Sequence, residues 1–410
     1  MKKLSNQNQR RPAMQAGAAA LFLFLSLPAL TAQVKTGLDV LVEEDFAPLA
    51  GKRIGIITNH SGLTSDGRRN IDVLRRSGKV KVAVIFTPEH GLTGLRDDPN
   101  IPSSIDPTTD IPIRSLFDGA TRKMTADMLK DIDALVYDIQ DIGARFYTFI
   151  TTLGYGLEAA AQAHIPYFVL DRPNPINGIA VEGPRLDEKY VSFVAYMPGL
   201  PIRHGMTVGE LARLYNGEKK LGADLHVIEM KGWNRRMWFD ETGLEWVNPS
   251  PAIRNLTEAI LYPGTCLLES RQVSVGRGTD TPFQMIGAPW FKAREAAAYL
   301  NSLKLPGVSF IPRRFRPNAY LFKDEDCEGV DVQLLNRDTL DSVRMGLELV
   351  HATLQFHPGL FNVDGIMRLL GNEDAGARLK RGETGSEVNR SFQKDLAEFR
   401  KVRQQYLLYP

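Results

Sequence analysis

Glu89 stands in the tetrapeptide Pro88-Glu89-His90-Gly91, directly after an apolar run, and is the leading acid–base candidate of this 410-residue chain. Pro88 stiffens the backbone ahead of it, and Gly91 lets the chain turn sharply behind it. A carboxyl group in a partly dry cleft can have its pKa raised enough to donate a proton near neutral pH. His90 is an acid–base partner, a group that orients Glu89 and a ligand, or a purely structural hydrogen-bonder. Asp138 and Asp141 lie three apart at another strand end. They are joint candidates for the second carboxylate that hydrolysis of a glycosidic bond usually needs, with a helix cap as the alternative for one of them. Asn59 and His60 follow a further apolar run, and Asp171, Arg172 and Asn174 follow a fourth. Asp171 has the alternative of being neutralised by its neighbour Arg172. Asn174 and Glu182 are suited to sugar hydroxyls. Residues 275–282 (VGRGTDTP) set two glycines around Arg277, with Thr279 and Asp280 beyond. Such a loop either offers backbone N–H groups and a guanidinium to an anion or is a tight turn in which Arg277 pairs with Asp280.

These residues need a frame that brings them to one edge. The runs 53–58 (RIGIIT), 80–87 (VKVAVIFT), 134–138 (ALVYD) and 166–171 (PYFVLD) read as buried strands. Between them, 70–77, 125–132 and 148–163 have helical patterns, with Asn70 as N-cap of the first. A helix at 207–215 then leads to a strand at 225–230. Strands alternating with helices predict an α/β fold, a Rossmann-like doubly wound parallel sheet. Ligands of such sheets bind outside the carboxyl ends of the strands, which is where all four polar loops fall. The Trp-, Asn- and Pro-rich stretch 233–251 marks a boundary, so that 33–253 form the larger domain and 254–410 a smaller α+β domain. In the latter, 291–303, 341–356 and 391–406 read as helices and 330–334 as a strand. There is no G-x-G-x-x-G, no Walker A loop, no G-x-S-x-G and no His-Glu-x-x-His. A nucleotide, a nucleophilic serine and a catalytic zinc are therefore not expected, and no cofactor is implied.

Residues 1–32 read as an export signal: Lys2, Lys3, Arg10 and Arg11 precede an apolar run and a small-residue stretch. Its removal takes away four cations and no acids, so the formal net charge moves from +2 to about −2. Without a clustered basic face, a nucleic-acid partner is not indicated. The expected location is the periplasm or the medium, with no membrane anchor after cleavage. Cys266 and Cys327 are far apart in sequence and are expected to be buried and free rather than paired.

The loops together resemble the exo-β-N-acetylmuramidase (NamZ-like) family of glycoside hydrolases. The likeness rests on 86–91 (FTPEHG), 138–147 (DIQDIGARFY), 171–175 (DRPNP), 182–184 (EGP) and 201–211 (PIRHGMTVGEL). It continues through 246–251 (WVNPSP), 262–266 (YPGTC), 274–283 (SVGRGTDTPF) and 406–409 (YLLY), and covers nearly all of the mature chain. The resemblance implies release of N-acetylmuramic acid from the non-reducing end of peptidoglycan fragments, with the family's glutamate falling on Glu89. It also implies a smaller C-terminal domain closing the cleft. Because that sugar carries a lactyl carboxylate, its pocket should hold an arginine, for which Arg145, Arg203 and Arg277 are candidates. His204, in a matching motif, and Glu269, in the segment 268–271 where the chain departs from the family pattern, complete the expected substrate-binding set. The chain departs from the family pattern at 268–271 (LESR), 252–254 (AIR) and Gln284. Rival readings are an exo-hexosaminidase preferring N-acetylglucosamine and a non-catalytic muropeptide binder.

Overall fold

A computed structural model describes residues 33–119 and 122–410; the export-signal reading lies outside the described residues. The larger domain carries α1 (Gly37–Glu43), β1 (Arg53–Thr58), α2 (Asn70–Arg76), β2 (Lys81–Thr87), β3 (Ser104–Ile105), β4 (Pro112–Ser115) and β5 (Ala134–Asp138). It continues with α3 (Phe149–Ala163), β6 (Tyr167–Leu170), β7 (Glu182–Arg185), β8 (Pro201–Arg203), α4 (Val208–Glu218) and β9 (Leu225–Ile228). The smaller domain follows with α5 (Leu256–Thr265), β10 (Met285–Ala288), α6 (Ala293–Ser302), β11 (Val308–Phe315), β12 (Cys327–Leu334) and α7 (Ser342–Phe356). Four helices close the chain: α8 (Met367–Leu370), α9 (Glu373–Lys380), α10 (Gly385–Ser391) and α11 (Gln393–Gln404).

Seven strands form the main sheet in the order β3-β4-β2-β1-β5-β6-β9. All neighbours are parallel except the short edge pair β3–β4. Leaving β3 aside, the six parallel strands run 3-2-1-4-5-6 in order of appearance, the doubly wound arrangement expected from the alternation of strands and helices. The order reverses between β1 and β5, whose ends meet in register at Thr58 and Asp138. Both strands are buried almost throughout, which is why they read as continuous apolar runs. The smaller domain is a three-stranded antiparallel sheet, β10-β12-β11, with α6 packed against it and α7 against α6. One hydrophobic cluster passes from α3 through α5 into α7 and so joins the two domains. The last residues return to the larger domain, where Tyr409 packs with Val34, Met230 and Trp233.

Several local expectations are corrected. Residues 125–132 form only a 3₁₀ turn, Ala126–Leu129, because Thr125 makes no side-chain cap and β5 begins at Ala134. Asn70 opens α2 but does not cap it; its buried amide instead donates to Thr58 Oγ1 and Asp138 Oδ2. The expected helix 391–406 is broken at Phe392 into α10 and α11. Cys266 and Cys327 are buried and unpaired. No described helix is long and apolar enough to cross a membrane.

Candidate active site

The loop after β2 delivers Glu89 to a cavity of about 270 Å³ between the carboxyl edge of the sheet and the smaller domain. His90 has φ 71° and Gly91 φ 70°, so two successive left-handed residues swing the loop away from the strand. Glycine takes this conformation freely; histidine takes it at a cost, a strain met mostly where function demands a geometry. Thr148 is the N-cap residue of α3, yet its hydroxyl does not cap the helix. It donates to Glu89 Oε2 at 2.5 Å. The β5–α3 loop thereby fixes the rotamer of a carboxylate contributed by the β2 loop.

Two more carboxylates line the cavity. Arg277 donates through Nη2 to Asp97 Oδ2 (2.6 Å) and through Nη1 to Glu269 Oε1 (2.8 Å). The Tyr320 ring stacks 4.2 Å from its guanidinium, and the Tyr320 hydroxyl donates to Asp97. Burial would raise the pKa of Asp97, but the Tyr320 hydrogen bond and the charge of Arg277 outweigh it and hold the group below the ordinary carboxylate range. Burial opposes the charge of Arg277, while Glu269 and Asp97 more than restore it. His90 Nδ1 lies 2.7 Å from the Arg96 carbonyl, which can only accept, so Nδ1 carries the proton. In the neutral ring, Nε2 is then an acceptor.

Glu89, His90, Glu269 and Arg277 are thus brought together as expected, and Asp97, Thr148, Tyr320 and Arg368 are residues the sequence reading missed. Asp97 lies in an irregular loop and Arg368 in a four-residue helix, so no periodicity marks either. Thr148 was visible only as a helix start.

The other expected residues do not line this cavity. Asp138 is fully buried, with Oδ1 on Arg172 Nε and Oδ2 on Asn70 Nδ2, each at 2.6 Å. The strand's alternation turns its side chain onto the helix-covered face of the sheet instead of the open edge. Asp141 accepts from the Gly143 N–H at 2.7 Å, and burial pushes its pKa up to about 7. His204 Nε2 is 3.9 Å from Asp141, and burial, followed by the charges of Arg403 and Arg203, pushes its pKa down to about 3. Neither aspartate is therefore placed as the second carboxylate.

Asp171 accepts from Tyr409 (2.6 Å), Thr207 (2.8 Å) and the Gly209 N–H (2.8 Å). Arg203 pairs with Glu182, which also accepts from Ser342 at the start of α7. Asn174 and Asn59 brace their own loops by accepting from the N–H groups of Ile176 and Ser61. His60 Nε2 lies 2.6 Å from the Asn248 carbonyl. Arg145, the first candidate for an anion, is buried and gives both terminal nitrogens to four carbonyls, those of Pro184, Leu200, Leu369 and Leu370. Thr279 bonds back to the Gly276 carbonyl within its turn, and Asp280 is exposed beyond it. Arg277 pairs with Asp97 and Glu269, not with Asp280. Arg172, with Ser61, Gln140 and Trp246, borders a separate cavity of about 210 Å³ near the switch point.

The matches to known proteins agree with this architecture. Residues 54–257 match the family model described as exo-beta-N-acetylmuramidase NamZ, N-terminal, and 260–409 match its C-terminal counterpart. The peptidoglycan beta-N-acetylmuramidase NamZ of Bacillus subtilis (strain 168) is 41% identical over 381 residues, 92% of each chain. Two DUF1343 family proteins of Bacteroides fragilis have similar structures. One has a TM-score of 0.85 at 38% identity, and the other 0.75 at 31%; each match covers 92% of this chain and 99% of the other. By both halves of its sequence and by its fold, the chain belongs to the exo-β-N-acetylmuramidase NamZ family.

Proposed function

We propose that this protein is an exo-acting glycoside hydrolase that releases N-acetylmuramic acid from the non-reducing end of peptidoglycan fragments. The observation that carries the reading is Glu89. It lines the cavity, has no cationic partner among the described residues, and is held in one orientation by Thr148. Glu89 protonates the leaving-group oxygen as the glycosidic bond breaks. Positive charge then grows at the anomeric carbon and ring oxygen, water adds to that carbon, and the proton it releases restores the acid form of Glu89. Asp97 and Glu269, locked by Arg277, supply a fixed negative field across the same cavity without reorganising. Neither needs to take up a proton for that role.

The test is chromophore release from a β-N-acetylmuramic acid glycoside beside its N-acetylglucosamine analogue, with wild type and Glu89→Gln. Turnover of the muramic compound alone is expected, with kcat reduced by about 10²–10⁴ in the variant. Preferred turnover of the glucosamine analogue would instead indicate a different exo-hexosaminidase. Binding of both sugars with turnover of neither would indicate a muropeptide-binding protein.

The basic and apolar order of residues 1–32 supports export to the periplasm or medium, where peptidoglycan fragments are met. Fractionation with N-terminal sequencing of the mature protein tests this; an intact Met1 in the cytoplasmic fraction would refute it.

A further inference from the structure

The two guanidiniums on the cavity wall are not equally matched. Three carboxylates line it, those of Glu89, Asp97 and Glu269, against two guanidiniums, those of Arg277 and Arg368. Arg277 is committed to Asp97 and Glu269 at once. Arg368 is exposed and makes no ion pair and no side-chain hydrogen bond among the described residues. A sugar carrying a carboxylate is drawn to a cation that stands uncompensated, and on this wall Arg368 is that cation.

Its mounting is rigid although its head is free. Arg368 sits on α8, and the carbonyls of the next two residues, Leu369 and Leu370, accept from Arg145 Nη2 at 2.9 and 2.7 Å. The other terminal nitrogen of Arg145 bonds Pro184 and Leu200 around the β7–β8 hairpin (2.8 and 2.9 Å). Gly371 closes α8 at φ 63°, and a Cβ there would lie 3.0 Å from Arg145 Nη2 and 2.6 Å from Leu186 Cδ1. The buried arginine thus ties the turn that carries the free arginine to the larger domain. A guanidinium presented from a fixed turn loses less on binding than one on a loose loop, and its planar fork matches a carboxylate with two parallel bonds.

We infer that Arg368 reads the lactyl carboxylate that distinguishes N-acetylmuramic acid from N-acetylglucosamine, and so sets the specificity of the Glu89 site. The inference rests on the proposed substrate. It reassigns to Arg368 the anion contact that sequence alone offered to Arg145, Arg203 or Arg277.

The experiment compares wild type, Arg368→Gln and Arg368→Lys on three β-glycosides: of N-acetylmuramic acid, of its lactyl carboxamide, and of N-acetylglucosamine. Calorimetric binding of free N-acetylmuramic acid and N-acetylglucosamine runs beside it. In Arg368→Gln the ratio of kcat/KM for the acid to that for the carboxamide should fall about tenfold or more, mainly through KM, with Lys recovering part of it. Affinity for free N-acetylmuramic acid should fall similarly, and affinity for N-acetylglucosamine much less. An unchanged ratio together with unchanged affinity would overturn the role of Arg368 while leaving the enzymatic reading intact. A wild type that turns over none of the glycosides would overturn that reading. In that case the binding comparison still decides on Arg368, with equal affinity of wild type and Arg368→Gln for the muramic sugar counting against it. Because Arg368 is exposed and has no partner among the described residues, both variants are expected to fold.

Discussion

The wall of the Glu89 cavity and the polar layer beneath the sheet edge use the same residue types in different states of completion. In the lower layer three carboxylates have both oxygens engaged: Asp138 with Arg172 and Asn70, Asp171 with Tyr409, Thr207 and the Gly209 N–H, Glu182 with Arg203 and Ser342. These groups are buried, where an unmet charge is costly, and their bonds spend them on holding loops. On the cavity wall Glu89 has one hydroxyl for company and Arg368 no partner among the described residues. What separates a framework carboxylate from a reactive one is therefore the bonding capacity left after folding. Residue type and closeness to a strand end do not decide it.

The largest effect expected from breaking this contrast is on stability. Asp138→Ala leaves Arg172 charged and unmatched beneath the sheet edge, and equilibrium urea unfolding should show a loss of about 3–5 kcal/mol. A loss of activity in Asp138→Ala with unchanged unfolding would move Asp138 from the framework to the chemistry. A smaller effect is expected at the junction of the two layers. Thr148→Val keeps the shape but frees the Glu89 rotamer, so kcat should drop on the order of tenfold, with at most about 1 kcal/mol of stability lost. Equal kcat in Thr148→Val and wild type would show that Glu89 needs no positioning from α3.

A further effect is a pH dependence. Burial raises Asp141 to about 7 in the folded state, whereas in the unfolded chain it titrates near 3.9. Between those values the native state holds a proton that the unfolded state has lost, so stability falls as pH rises through about 4 to about 7. Asp141→Asn keeps an acceptor for the Gly143 N–H and removes the titration. The urea midpoint of this variant should then change less over that window than that of wild type. An unaltered slope would mean that Asp141 does not titrate there.

Much of the fold was legible because burial on both faces of a parallel sheet writes long apolar runs into the chain. β1, β2, β5 and β6 stand out for that reason, and with them the single edge to which their loops belong. The short strands β3, β4, β7 and β8 span two to four residues each, too few for alternation to show. Glu89 was legible because Pro88 and Gly91 bracket it locally. Asp138, Arg145 and Arg203 were misplaced because sequence shows that a polar residue follows a strand but not which way its side chain turns.

Local sequence patterns set the order of β1, β2, β5, β6 and β9, the edge at which they present polar loops, and the position of Glu89 on that edge. Each of these follows from patterns within a few residues of one another. Which charges stay free is settled by long-range packing, because the neutralising groups come from far along the chain. Thr148 reaches Glu89 across 59 residues, Arg277 reaches Asp97 across 180, and Arg145 reaches the Leu370 carbonyl across 225. Whether an arginine becomes a strut or a receptor for an anion depends on the carbonyls and carboxylates that folding brings within about 3 Å of it, and local sequence does not carry that information.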